Sequence, residues 1–359
     1  MKVLNSFKIK FSLTKIGMKN FAQTVNGPIK NSELGFTLMH EHIFCDLRET
    51  VKRNNLLKDH EEITIKNRFE VDYYENKNQQ NLILNEYEKA IEELKIYKES
   101  GGKTIVELST IGLNPEPIKL SKISQETGVN IILGTGCYTE DYLDEQTLNF
   151  SVEDLRILMS QHLQDGFNGT NIRAGLIGEL GCSWHLKETE KKSLLAALEI
   201  QNENGVTVSI HPGRHKDSPQ EIIKFLEKFK VNPSKIIICH ADRTLTNLED
   251  ILFILNKGYV LEWDFFGIET SNYWFGKFDL PTDYMRLDLI FELFQKGFDN
   301  QITISHDICT RTRLNCYGGH GYSHINKHVV PLMLERGWSE KNIEQLLVTN
   351  PENMLCYLN

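Results

Sequence analysis

The chain has 359 residues, of which 40% are hydrophobic and 25% charged, enough for a large core beneath a solvated surface. Its formal net charge of -9 argues against a nucleic-acid binder, which presents a basic face. No apolar run approaches the roughly eighteen residues that a membrane span needs.

The first twenty residues carry Lys2, Lys8, Lys10, Lys15 and Lys19 and no acidic residue. A mitochondrial transit peptide would favour arginine over lysine, so residues 1–20 are read as a basic extension, packed on an edge or disordered. Residues 21–359 are then expected to form a single domain. The 7 cysteines lie scattered, at Cys45, Cys137, Cys182, Cys239, Cys309, Cys316 and Cys356, with no CxxC pair. That pattern suits a reducing compartment, and the cytosol is expected.

From Gly35 onward, short β-rich runs alternate with helix-like segments. The runs begin near Gly35, Lys103, Val129, Arg173, Val206, Lys235, Tyr259 and Gln301. Most are nearly all apolar, as in Lys235-Ile-Ile-Ile-Cys-His240, the composition of parallel strands covered on both faces. After the first run, Phe44 to Gln80 forms a long insertion rich in Asn, Glu and Lys; such insertions usually cover the substrate end of a barrel. Ile83, Tyr87, Ala90, Ile91, Leu94 and Tyr97 keep a helical period up to the stop at Gly101-Gly102. Ser151, with Asp154 three residues on, predicts a capped helix start. Further helices are predicted over 189–204, 219–229, 248–256 and 285–295, with Gly205 and Gly258 after two of them. Eight alternations without a break in composition predict a single (β/α)₈ TIM barrel. A doubly wound open sheet is the alternative, but no GxGxxG follows the first run.

The chemistry gathers at the run ends. His40 and His42 close the first run two residues apart, so they share one face while Glu41 takes the other. Glu179 ends the fourth run, His211 the fifth, His240 the sixth and Asp307 the eighth. Barrel active sites form at the C-terminal ends of strands, so six ligand-type side chains from five strands converge on one mouth. Four histidines and two carboxylates suit two divalent ions, Zn²⁺ first, with Mn²⁺, Co²⁺ or Fe²⁺ as alternatives. Glu179 can bridge the pair, a hydroxide between the ions serves as nucleophile, and Asp307 both ligates and carries the proton to the leaving group. His306 is expected to point elsewhere in a structural role, and Cys239 to face away from His240 into core packing. There is no GxSxG elbow, and the glycines of His211-Pro-Gly213 and Tyr317-Gly-Gly-His-Gly321 lack the Lys-Ser/Thr of a P-loop.

These residues and the stretches around them resemble the phosphotriesterase family of the amidohydrolase superfamily. The stretches are Thr37-Leu-Met-His-Glu-His42, Ile177-Gly-Glu-Leu-Gly-Cys-Ser-Trp184, Ile210-His-Pro-Gly-Arg214, Leu261-Glu-Trp-Asp-Phe-Phe-Gly267, Ser305-His-Asp-Ile-Cys-Thr-Arg-Thr-Arg313 and Tyr317-Gly-Gly-His-Gly-Tyr-Ser-His324. Bacterial members carry a carboxylated lysine where this chain has Glu179, and both groups offer bridging oxygens. The resemblance is strongest to a branch whose enzymes hydrolyse N-acetyltaurine to taurine and acetate, with some action on other N-acetyl amino acids. It therefore implies an amidase; lactone or phosphotriester hydrolysis on the same site, and a non-catalytic metal-stabilised binding protein, are the alternatives.

A sulfonate substrate needs a fixed cation. Arg214 and Arg243 follow His211 and His240, while Arg311 and Arg313 follow Asp307. A guanidinium offers forked N–H groups to such an anion, and Arg243 is the first choice, placed on the rim with Asp242 holding it; a rim ion pair is the alternative for each arginine. Tyr138, after Gly134-Thr-Gly-Cys, is a candidate substrate or nucleophile contact, with core packing as the alternative. The expected partner is a small molecule, with no nucleic acid and no membrane; a homodimer is compatible with the sequence.

Overall fold

Two antiparallel strands, β1 (Phe21–Thr24) and β2 (Gly27–Lys30), precede the barrel and were not anticipated from the sequence. The computed structural model describes residues 20–49, 62–74, 78–270, 273 and 279–356. Residues 1–19 of the basic extension, and 50–61 and 75–77 of the expected insertion, lie outside the described residues.

The barrel strands are β3 (Thr37–Glu41), then, after the short pair β4 (Cys45–Asp46) and β5 (Ile83–Leu84), β6 (Thr104–Glu107), β7 (Asn130–Thr135), β8 (Leu176–Gly181), β9 (Val208–His211), β10 (Ile236–Ile238), β11 (Val260–Trp263) and β12 (Ile302–Ile304). The eight are parallel neighbours in chain order from β3 and β6 through to β12. Across the seam between the last strand and the first, Asp307 N–H donates to His40 O at 3.1 Å and His40 N–H to Ser305 Oγ at 3.0 Å. The eight-run pattern thus folds as a (β/α)₈ barrel.

Alternation along the strands sorts the apolar residues into two layers. Met39, Val106, Ile132, Leu176, Ile237 and Val260 belong to a central cluster. Their chain neighbours Leu38, Ile105, Ile131, Ile177, Ile236 and Leu261 pack in the larger cluster with the helices. Ala22, Leu34 and Met354 to Cys356 join the central cluster, and Ala22 bridges to Cys356, so the hairpin and the C-terminal segment plug the barrel from below. Lys235 secures that plug, its Nζ donating to the carbonyls of Asn353, Met354 and Cys356.

The helices over 188–204, 218–226, 248–255 and 283–295 fall within three residues of their predicted bounds. Ser151 and Asp154 form both reciprocal bonds of a capping box, and Gly205 takes a left-handed φ of 69° after its helix. One reading is corrected. Ile83 belongs to β5, paired with Asp46, and the helix starts at Tyr87; its spacing of four from Tyr87 fits a helical period although its backbone is extended. The helix Pro117–Thr127, between Pro at its start and Gly128 at its end, went unread.

Candidate metal centre

Four of the six ligand-type residues sit where the backbone departs from regular strand geometry. The β3–β6 register shifts between Leu38 and Glu41, around His40, and the β8–β9 register shifts between Ile177 and Leu180, around Glu179. Such irregularities re-aim a side chain that a regular pleat would send elsewhere. Gly134 and Gly178 let β7 and β8 approach there: a Cβ on Gly134 would stand 1.8 Å from Gly178 O. His240 and Asp307 are non-glycine residues in the left-handed region, at φ 55° and 50°. A backbone of that kind costs on the order of 1–3 kcal/mol and persists only where its surroundings hold it.

The structure brings together all six residues singled out as ligands, and all are buried. Glu179 lies between the others: Oε1 is 3.5 Å from His42 Nε2, while Oε2 is 2.8 Å from His211 Nδ1 and 3.6 Å from both His40 Nε2 and His240 Nε2. Asp307 Oδ1 is 3.2 Å from His42 Nε2 and 3.7 Å from His40 Nε2. Burial alone would raise the Glu179 carboxyl, but His211 and His40 outweigh it and hold it well below the usual carboxylate range.

The opposite ring nitrogens are engaged. His42 Nδ1 meets Ser109 Oγ at 2.9 Å, His240 Nδ1 meets Asp264 Oδ1 at 2.8 Å, and His40 Nδ1 lies 3.3 Å from both Glu262 Oε2 and Asp264 Oδ2. A ring that donates Nδ1–H presents an unprotonated Nε2. His40 Nε2 is buried with no hydrogen-bond partner among the described residues and faces two carboxylates beyond hydrogen-bond range. That orphaned acceptor, within buried groups of three donors each (His40, His42, Asp307; His40, Glu179, His240), fits a divalent cation.

Glu262, Asp264 and Ser109 were not assigned roles from the sequence. The two carboxylates carry a signal nonetheless: they stand two apart, hence on one face, in the otherwise apolar stretch from Tyr259 to Phe266. Burial works against Asp264, yet His240 and His40 hold its carboxyl below the ordinary range, whereas burial leaves Glu262 raised. Cys239 packs in the central core as expected, but its facing is corrected. The left-handed turn at His240 breaks the alternation, so Cys239 lies beneath the cluster, grouped with His40, Glu262 and Asp264, and within 3.0 Å of Ser209 Oγ. His306 points away from the ligands, its Nδ1 on Glu41 Oε1 at 2.7 Å and its Nε2 accepting from Ile325 N–H at 3.1 Å.

Above the cluster is a small cavity of about 30 Å³ whose walls include Tyr138, Arg214, Arg243, Phe265, Tyr273 and Arg313. Arg243 is not on the rim: it is 2% exposed, and Asp242 does not hold it, because Asp242 takes bonds from Arg286 Nε at 2.5 Å and Phe265 N at 3.2 Å. Its Nη2 donates to Pro212 O at 2.8 Å and lies 3.1 Å from His211 Nε2, while Nη1 is buried without a partner among the described residues. Burial lowers its pKa, the like charge of Arg214 acting in the same direction. The Tyr138 hydroxyl is 3.4 Å from His211 Nε2, and burial raises it well above a free phenol, so it remains an O–H group. Arg313 Nη1 braces the Asp307 carbonyl at 2.6 Å. Arg311 turns instead to Ile83 O and Asn85 Oδ1.

A barrel with a buried histidine–carboxylate cluster at the C-terminal ends of its strands is the architecture of metal-dependent hydrolases. The chain belongs to one family of these, the phosphotriesterase family, whose model matches residues 20–355. It is 41% identical to the N-acetyltaurine hydrolase of Xenopus tropicalis, over 93% of this chain and 97% of that one. It is 38% identical to the protein of the same name from Dictyostelium discoideum, over 94% and 98%. A solved resiniferatoxin-binding protein from Rhodobacter sphaeroides superposes with a TM-score of 0.86 at 30% identity, covering 94% of this chain and 95% of its own. No helix among the described residues is long and apolar enough to cross a membrane.

Proposed function

We propose that this chain is a divalent-metal amidase that cleaves N-acetyltaurine to taurine and acetate, and also accepts other N-acetyl amino acids. The observation that carries the reading is a buried guanidinium beside the histidine–carboxylate cluster. Arg243 has no carboxylate ion pair among the described residues and keeps one N–H-bearing nitrogen unpartnered. A buried cationic donor left in that condition is costly unless an anion completes it. A sulfonate does so, and the relatives named N-acetyltaurine hydrolase act on a molecule that carries one.

His40, His42, His211, His240, Glu179 and Asp307 would hold two divalent ions, zinc first. When bound, such ions polarise the scissile carbonyl and lower the pKa of water. The chain's own residues do the rest. Arg243, with Arg214 beside it in the cavity wall, binds the sulfonate and so points the acetamide at the cluster. Tyr138, as an O–H donor, faces the same space. Asp307 takes a proton from the attacking water as its oxygen joins the carbonyl carbon. It returns that proton to the amide nitrogen as the C–N bond breaks, giving acetic acid and the amine of taurine; the acid's proton then passes through water to the amine, so acetate and zwitterionic taurine leave.

The test is to incubate the zinc-loaded protein with N-acetyltaurine, a lactone and an activated phosphotriester, following products by proton NMR and absorbance. Chelator-sensitive release of acetate and taurine, faster than turnover of the other two, is expected. Turnover of the lactone or phosphotriester alone would overturn the amidase assignment and leave the metal site standing.

A further inference from the structure

The two halves of the cluster share a support that neither the relatives' names nor the ligand set assigns. Asp264 follows β11 and is fully buried. Its Oδ1 is 2.8 Å from His240 Nδ1, and its Oδ2 takes the His240 backbone N–H at 2.9 Å and lies 3.3 Å from His40 Nδ1. One carboxylate thus reaches rings from β3 and from the end of β10. The neighbouring supports are private: Glu262 reaches His40 alone among the ligand histidines, at 3.3 Å, and Ser109 reaches His42, at 2.9 Å.

We propose that Asp264 is a positioning residue common to both metal positions, fixing the tautomer and the angle of His40 and His240 together. The inference rests on the metal reading above. Asp264 binds the Nδ1 side of His240 and, together with Glu262, faces the Nδ1 side of His40, so both rings turn Nε2 towards Glu179. By accepting the His240 backbone N–H, it also holds the left-handed turn at φ 55° that aims this ring into the cluster. Asp242, two residues beyond His240, cannot substitute, since Arg286 occupies it at 2.5 Å.

The experiment uses the full chain with ¹⁵N-labelled histidine, in wild type, Asp264→Asn, Glu262→Gln and Ser109→Ala, each checked by circular dichroism. In the metal-free protein, the imidazole nitrogen signals should show a hydrogen-bonded Nδ1–H on both His40 and His240. Both should shift in Asp264→Asn, His40 alone in Glu262→Gln, and His42 alone in Ser109→Ala. Zinc retention against a graded chelator should fall about 10–100-fold in Asp264→Asn, the usual scale for losing an outer support. Unchanged tautomers, a shift of one ring only, or wild-type zinc retention in Asp264→Asn would overturn the proposal. A wild type that takes up no zinc would sink the metal reading itself, while the metal-free tautomer signals still decide the role of Asp264. Asp264→Ser, which keeps a small neutral acceptor, takes its place if Asp264→Asn loses the wild-type dichroism.

Discussion

Glu41, lodged between His40 and His42 in sequence, reaches across the barrel seam and takes the Nδ1–H of His306 at 2.7 Å. The same carboxylate accepts Ser305 Oγ–H at 2.8 Å, the His306 backbone N–H at 2.9 Å and the Ile308 backbone N–H at 3.0 Å. These donors bracket Asp307, whose own N–H bonds His40 O, so Glu41 fixes the left-handed bend that presents Asp307.

Replacing Glu41 should therefore loosen the seam. In Glu41→Gln, one acceptor oxygen becomes an NH₂ donor facing other donors in a site without water access. A loss of about 1–3 kcal/mol is expected, the cost of a buried group left unsatisfied. Urea denaturation of the two proteins measures it; equal midpoints would mean that the seam is held by other contacts.

Asp307→Asn should keep the fold and lose roughly 10²–10⁴ in turnover, the scale of a general acid–base group. Metal content has to be measured on the same sample, because Asp307 also faces His40 and His42. Turnover near wild type with full metal content would remove Asp307 from its proposed role.

Arg243→Ala should lower the specificity constant for N-acetyltaurine about ten- to a hundredfold, as expected for one charge-assisted hydrogen-bond partner. A neutral acyl amide should lose much less. Equal losses on the two substrates would reduce Arg243 to a brace for Pro212 O and His211.

Because position 179 is a glutamate, zinc uptake should be the same with and without bicarbonate. A carboxylated lysine needs carbon dioxide; a glutamate carries its two oxygens already. Bicarbonate-dependent metal content would show that the bridging oxygens come from elsewhere.

His162 supplies a pH dependence away from the centre. Buried against Phe167 and bonded to Thr135 Oγ1 at 2.7 Å, its imidazole is pushed down to about 4 by burial. The unfolded chain, with a histidine near 6.5, binds the proton first as pH falls, so stability from this group is complete above about pH 6.5 and lost towards pH 4. The loss is up to about 3 kcal/mol at about 1.4 kcal/mol per pKa unit. Denaturation midpoints between pH 7 and 4 should fall less steeply in His162→Gln than in wild type; parallel curves would show that the ring does not titrate this way.

The amino-acid sequence by itself determined the eight-fold strand–helix rhythm, since apolar runs and amphipathic stretches are local patterns that burial on two faces imposes. It also placed His40, His42, Glu179, His211, His240 and Asp307 at strand ends, because a barrel's mouth is built from those positions. What only the tertiary structure decided lies in the departures from regular geometry. The φ of 55° at His240 breaks the alternation that had sent Cys239 away, and packing, not local propensity, sustains that turn. Likewise Asp242 pairs with Arg286, 44 positions along the chain, rather than with its neighbour Arg243. Ion pairs across a fold are set by which side chains three dimensions bring within reach, and adjacency in sequence does not report it. That choice leaves Arg243 buried with an unpartnered nitrogen next to the candidate metal centre.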